Sequence, residues 1–215
     1  DWVEARNPFG KHLARPLDGG RPLCCGRTFL AAGLAGQARE EVQRLIDVLT
    51  PFAARGMPIV GLEPSCLLSL RDEIPALVPG EATRAIASQT LLFEEFLARE
   101  HTAGRLKLTL KNLAGQRVLL HGHCHQKAFG VMSTVQQTLK LVPGLEVQTI
   151  ESGCCGMAGA FGYEAEHRAI SLRMGEMDLL PAVRAAAAQT WVVADGTSCR
   201  SQIRDGAQRD ALHVA

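Results

Sequence analysis

Val192-Val193-Ala194-Asp195-Gly196-Thr197-Ser198-Cys199 is an apolar run that turns polar and then ends on Ser-Cys. A short run that is apolar throughout predicts a strand buried on both faces. The same arrangement occurs earlier, as Ile59-Val60-Gly61-Leu62-Glu63-Pro64-Ser65-Cys66. Each copy follows a cysteine pair and a glycine, Cys24-Cys25-Gly26 in the first and Gly153-Cys154-Cys155-Gly156 in the second. The interval from Cys25 to Cys66 is 41 positions and from Cys155 to Cys199 it is 44. Two similar thiol arrays in one chain imply a duplicated unit.

Around these runs the apolar pattern alternates between the two periods. Gln37 to Ala53 carries a helical stripe at Val42, Leu45, Ile46, Leu49 and Phe52. Met57 to Leu62 suits a strand. Glu81 to Leu97 reads as one helix, with Ala82, Ala85, Ile86, Gln89, Phe93, Phe96 and Leu97 on one side. Lys107 to Gly115 reads as connection, and Val118 to His121 as a strand. A helix is expected from Gln126 to Leu141, stopped by Pro143-Gly144. Val147 to Ile150 is a strand candidate, Tyr163 to Leu180 and Pro181 to Ala188 are helix candidates, and Cys199 to Ile203 opens a helix. Residues 1–22 read as loop.

Buried strands alternating with amphipathic helices predict an α/β fold with mainly parallel sheets flanked by helices. The expected division is 1–106 for the first unit and 107–215 for the second. Cys124 precedes its pair by 30 positions, and the matching point in the first unit falls before Asp1. The first unit is therefore expected to lack its opening segment, and the chain to be the tail of a longer protein.

The chain has 215 residues, 47% apolar and 21% charged, with net charge +1. This is ordinary globular composition and gives no electrostatic reason to expect nucleic acid as a partner. No uncharged apolar run approaches the about 18 residues of a membrane helix, and no signal peptide is visible. Seven cysteines, four of them in adjacent pairs, fit a disulfide framework poorly and suit a reducing compartment.

In open parallel sheets ligands gather at the carboxyl ends of strands, and every cysteine here lies at or just past an expected strand end. Thiolates are soft metal ligands. Two adjacent thiolates strain the peptide between them if both bind one tetrahedral ion, whereas each can reach a different iron of a cluster. Flanking glycines let the backbone approach closely. Cys66 and Cys199 each follow Ser at an expected helix start, which favours the thiolate. A buried free cysteine is also ordinary core material. The candidate ligands are Cys124, Cys154, Cys155 and Cys199, and, in the array without a fourth member, Cys24, Cys25 and Cys66.

His121, His123 and His125 surround Cys124. In an extended chain the three rings would share one side and Cys124 the other. They could bind zinc or iron, hold an anion or move a proton; the plain alternative is a polar strand end. Lys127 could neutralise a cluster or be a solvated helix side chain. Gly156 to Gly162 lacks the Walker lysine and dinucleotide spacing, so it reads as a tight turn beside the cysteine pair.

At these residues the chain resembles the cysteine-rich, or CCG, domain found in heterodisulfide reductase, in the iron–sulfur subunit of glycolate oxidase and in the anaerobic glycerol-3-phosphate dehydrogenase. Leu23 to Thr28, Gly61 to Cys66, His121 to Ala128, Cys154 to Tyr163 and Gly196 to Arg200 are similar to the C-terminal region of large bacterial FAD-linked oxidases of D-2-hydroxyacids such as D-2-hydroxyglutarate or D-lactate. The family pattern closes with Cys-x-x-Cys, but Ser69 and Gln202 stand at that last position here. This counts against a five-thiolate noncubane double cluster and leaves four cysteines for one 4Fe–4S cluster, with zinc as the alternative.

The resemblance implies an electron-transfer module with no catalytic residue of its own and with FAD on another domain. Its partners would be the FAD-binding and ferredoxin-like domains of the same protein and a downstream electron acceptor. Its location would be the cytoplasm, with peripheral attachment at the inner membrane as a variant. The rival reading is a structural or docking domain whose thiols hold zinc or stay free.

Overall fold

In the computed structural model residues 22–215 are described. The loop expected over 1–22 therefore lies, except for its last residue, outside the described residues. Two parallel sheets organise the chain. The first joins β1 (Ile59–Gly61) to β2 (Thr90–Leu92). The second has the order β4-β3-β5-β6, built from β3 (Arg117–His121), β4 (Glu146–Thr149), β5 (Trp191–Ala194) and β6 (Ala211–Leu212). All its pairings are parallel. The fold is α/β, with helices on the sheet faces.

Alternation along β3 and β5 sends successive residues to opposite faces. Leu119, Val192 and Ala194 pack with Leu180 and Val183 of α10 (Leu179–Ala185) and Ile203 of α11 (Thr197–Ala207). Val118, Leu120 and Val193 pack with Val135 and Leu139 of α8 (Met132–Lys140). Leu120 and Val183 are fully buried. Truncating such a residue costs about 2–5 kcal/mol, so these layers hold the strand ends in place. The described chain opens with the short helix α1 (Arg27–Ala31), and around the smaller sheet Val42, Ile46 and Leu49 of α2 (Ala35–Ala53) pack with Leu67 and Leu68 of α3 (Pro64–Ser69), Ile74 of α4 (Glu73–Leu77) and Ile86 of α5 (Glu81–Gln89). Val131, from the larger part of the chain, joins that same cluster.

Three expected helices are interrupted. The one expected over 81–97 is α5, then β2, then α6 (Phe93–Thr102). The apolar stripe runs on through the break, so periodicity could not reveal it. The strand exists because β1 pairs with it, Ile59 opposite Thr90 and Gly61 opposite Leu92, and because Arg71 donates to the Thr90 carbonyl. The helix expected from Gln126 to Leu141 is α7 (Cys124–Ala128) and α8, separated at Gly130. The one expected over 163–180 resolves into a 3-10 turn (Phe161–Tyr163), α9 (Arg168–Gly175) and the start of α10. The two-residue strand β6 is too short to leave a periodic signal in the sequence.

Candidate metal centre

Each strand of the larger sheet's first three hands the chain to a cysteine. β3 leads into Cys124 at the start of α7, β4 into Cys154 and Cys155, and β5 into Cys199 in the first turn of α11. The four sulfurs form a chain of neighbours within hydrogen-bonding reach. Cys124 reaches Cys154, Cys154 reaches Cys155, and Cys155 reaches Cys199. Contact with Cys124 and then with Cys155 holds the Cys154 thiol well below its ordinary range, and contact with Cys155 does the same for Cys199. Cys124 and Cys155 are pushed up by the same contacts and by burial. Cys155 and Cys199 are buried while Cys124 and Cys154 are half-buried, so one edge of the quartet faces outward.

The Cys-Cys-Gly turns have the same geometry in both arrays. The Gly156 N–H donates to Cys154 Sγ at 3.3 Å, and the Gly26 N–H to Cys24 Sγ at 3.4 Å. Gly156 has φ 95° and Gly26 has φ 75°, the left-handed region that glycine adopts without strain. A Cβ on Gly156 would lie 2.1 Å from the Ser171 carbonyl oxygen of α9, and one on Gly26 would lie 2.8 Å from that of Ala38 on α2. Each turn is therefore pressed against a helix by a contact only glycine permits. Lys127 donates to the carbonyls of Ser152 and Gly153, fixing the approach to Cys154. Burial pushes its ammonium down from the ordinary value.

Cys124, a Cys-Cys-Gly turn and Cys199, each at the end of a parallel strand, lie in the segment 118–204 that matches the family described as CCG, a cysteine-rich domain. Residues 118–204 carry the match to the CCG family. The chain is 28% identical over 212 residues to a subunit of the anaerobic glycerol-3-phosphate dehydrogenase of Escherichia coli K12, covering 94% of this chain and 52% of that one. It is 28% identical over 174 residues to the D-2-hydroxyglutarate dehydrogenase of the same organism, covering 80% of this chain and 16% of that one. The Pseudomonas putida D-2-hydroxyglutarate dehydrogenase is 27% identical over 201 residues, with 87% and 18% covered. The chain thus spans about half the length of the glycerol-3-phosphate dehydrogenase subunit and less than a fifth of the D-2-hydroxyglutarate dehydrogenases. No solved structure matches significantly.

The donor set of this segment suits a metal centre: four sulfurs converge from three turns, and one imidazole joins them. A ring nitrogen of His121 lies within 4.8 Å of the Cys155 and Cys199 sulfurs. Its Nδ1 is 3.0 Å from Ser152 Oγ, and its Nε2 is buried without a hydrogen-bond partner. His123 behaves differently. Its Nδ1 accepts from the His125 N–H at 3.1 Å and sits 3.9 Å from Cys124 Sγ. It therefore caps α7 and packs beside Gly196, where a Cβ would be 2.4 Å from its ring. His125 lies inside α7, and its charged surroundings are Arg27, Glu73 and Asp72. The expected alternation of the three rings does not hold, because the chain turns helical at Cys124. Gly156 to Gly162 is the expected tight turn, closed by the Gly162 N–H on the Met157 carbonyl.

In the first array Cys25 and Cys66 are within hydrogen-bonding reach. The Cys66 thiol pulls Cys25 down to about 6 and is itself pushed up, first by that bond and then by burial. Ser69 and Gln202, at the family's last cysteine position, are spent on structure. Ser69 Oγ donates to the Ser65 carbonyl and Gln202 Nε2 to the Ser171 carbonyl.

Several buried polar groups around the site carry no motif that would single them out in the sequence. Asp195 accepts from Gln126 Nε2 at 2.7 Å, and Gln126 Oε1 accepts from the His123 N–H. This joins the turn after β5 to the turn that carries Cys124. Glu94 of α6 and His213 approach Asp195, their nearest ligating atoms lying within 4.8 Å of one another. His213 is not free to bind a cation there. Its Nε2 lies 2.9 Å from the Leu62 carbonyl oxygen, which can only accept, and its Nδ1 accepts from the Ala215 N–H. The Glu94–Asp195 pair is read instead as an acid beside a carboxylate. Only Glu63, directly before Pro-Ser, carries a local sign of its role, that of a helix cap.

Proposed function

We propose that the chain is the iron–sulfur electron-transfer module of an FAD-linked 2-hydroxyacid dehydrogenase. Cys124, Cys154, Cys155 and Cys199 would hold one 4Fe–4S cluster, with the His121 ring beside the Cys155 and Cys199 sulfurs at its buried side. The observation that carries this reading is the unbroken chain of four sulfurs built around an adjacent pair. One zinc ion would leave Cys154 and Cys155 competing across a single peptide, whereas a multi-iron cluster takes both. The cluster, when bound, supplies one-electron transfer between a flavin and an acceptor.

The chain's own groups do the rest. The Gly156 N–H donates to a sulfur, Lys127 orders the Cys154 loop, and the half-buried sulfurs set the outward edge through which an electron would enter or leave. The division of the chain into two units of common ancestry belongs to the same reading. The resemblance to FAD-linked oxidases supports a flavin on another domain, and the similarity to D-2-hydroxyglutarate dehydrogenases supports a 2-hydroxyacid substrate. No helix among the described residues is long and apolar enough to cross a membrane.

The test is iron and acid-labile sulfide on anaerobically purified protein, with its absorption and paramagnetic-resonance spectra. About four irons and four sulfides per chain are expected. Zinc alone, or no metal, refutes the electron-transfer reading and favours the docking domain. The chain by itself should oxidise no hydroxyacid.

A further inference from the structure

Helix α11 carries Cys199 but has no cap of its own. Its N-cap residue is Gly196, which offers no side chain. A side chain there is excluded by the site, because a Cβ would lie 2.4 Å from the His123 ring and 3.1 Å from Cys199 Sγ. The open N–H groups of a helix start need an acceptor, and the one supplied comes from 134 positions away. Glu63 Oε2 accepts from both the Thr197 N–H and Thr197 Oγ1, each at 2.9 Å. The other oxygen caps Glu63's own helix α3, accepting from Ser65 N at 3.3 Å and Ser65 Oγ at 2.6 Å. Although burial pushes the Glu63 carboxyl up, the hydrogen bonds from Ser65 and Thr197 hold it below the ordinary range. It is a carboxylate at neutral pH.

One charge therefore sits at the start of two helices, three positions before Cys66 and beside the turn that leads to Cys199. Nearby, the Leu62 carbonyl accepts from His213, bracing the same junction. We propose that Glu63 is a positioning residue that completes the second cysteine site from the first unit, capping α11 in trans and placing one negative charge between the two cysteine sets. This gives the array lacking a fourth cysteine a role that does not depend on its own metal. It rests on the proposed cluster only for its electrostatic half.

Two measurements on the full chain test it. In the chain without metal, Glu63→Ala should raise hydrogen exchange at the Thr197 and Ser198 amides at least tenfold while amides of β3 keep their protection. Unchanged exchange at Thr197 overturns the cap. In the anaerobically loaded chain, Glu63→Gln keeps an acceptor but removes the charge. A negative charge near a cluster opposes its reduction. The variant should shift the one-electron equilibrium toward the reduced form about tenfold, about 59 mV upward, and Glu63→Asp should restore the wild-type potential. An unchanged potential in Glu63→Gln overturns the electrostatic half. Failure to load iron would sink the proposed function and leave the exchange measurement to judge the cap.

Discussion

Glu94 is 1% exposed, and neither carboxyl oxygen has a hydrogen-bond donor. Beside it lies Asp195, whose carboxylate accepts from Gln126 and from the Val214 N–H at 3.1 Å. Burial, and then the Asp195 charge, push Glu94 up from 4.5 to about 8. Its other charged neighbour, Glu95, is paired with Arg71 at 2.5 Å. His213, at 3.7 Å from Asp195, is oriented by its bond to Leu62. Glu94 thus enters the folded state as a neutral acid at neutral pH, while the unfolded chain ionises it.

The folded protein binds the extra proton, so its stability is full below about 4.5 and falls as pH rises through about 8. Across that interval, at about 1.4 kcal/mol per pH unit, the change amounts to about 5 kcal/mol as a ceiling. Glu94→Gln keeps the shape and offers Asp195 a permanent N–H donor. Urea unfolding of the reduced, metal-free chain between about pH 5 and 8.5 reads the effect. Wild type should lose stability relative to Glu94→Gln, with a gap of about 2 kcal/mol or more near pH 8. Parallel pH profiles for the two proteins would refute the protonated-acid argument.

Gly156→Ala should cost about 3 kcal/mol or more in the same assay, from the left-handed backbone and the approach to the Ser171 carbonyl; a loss under about 1 kcal/mol would contradict the packing described. Cys155→Ala and Cys199→Ala should each cut bound iron severalfold, while Cys24→Ala should leave the second site's iron in place, as measured by colorimetric iron per chain. Lys127→Met frees the Ser152 and Gly153 carbonyls, so loss of iron to a chelator should speed up severalfold; equal release rates would show that the loop is held by other contacts.

What the amino-acid sequence determines by itself is the α/β class and the placing of Cys124, Cys154, Cys155 and Cys199 just past strand ends. The apolar runs at Val118 and Val192 need only local pattern to be strands, and parallel strands bring their carboxyl ends, and so their cysteines, to one edge. The tertiary structure decides what local pattern does not encode. β2 sits inside an unbroken helical stripe and exists because β1 pairs with it. The three histidines part company because α7 begins at Cys124. The cap of α11 comes from Glu63, 134 positions away, since the cysteine site leaves no room for a side chain at Gly196. Such partners are selected by the shape of the packed chain, and no spacing in the sequence records them.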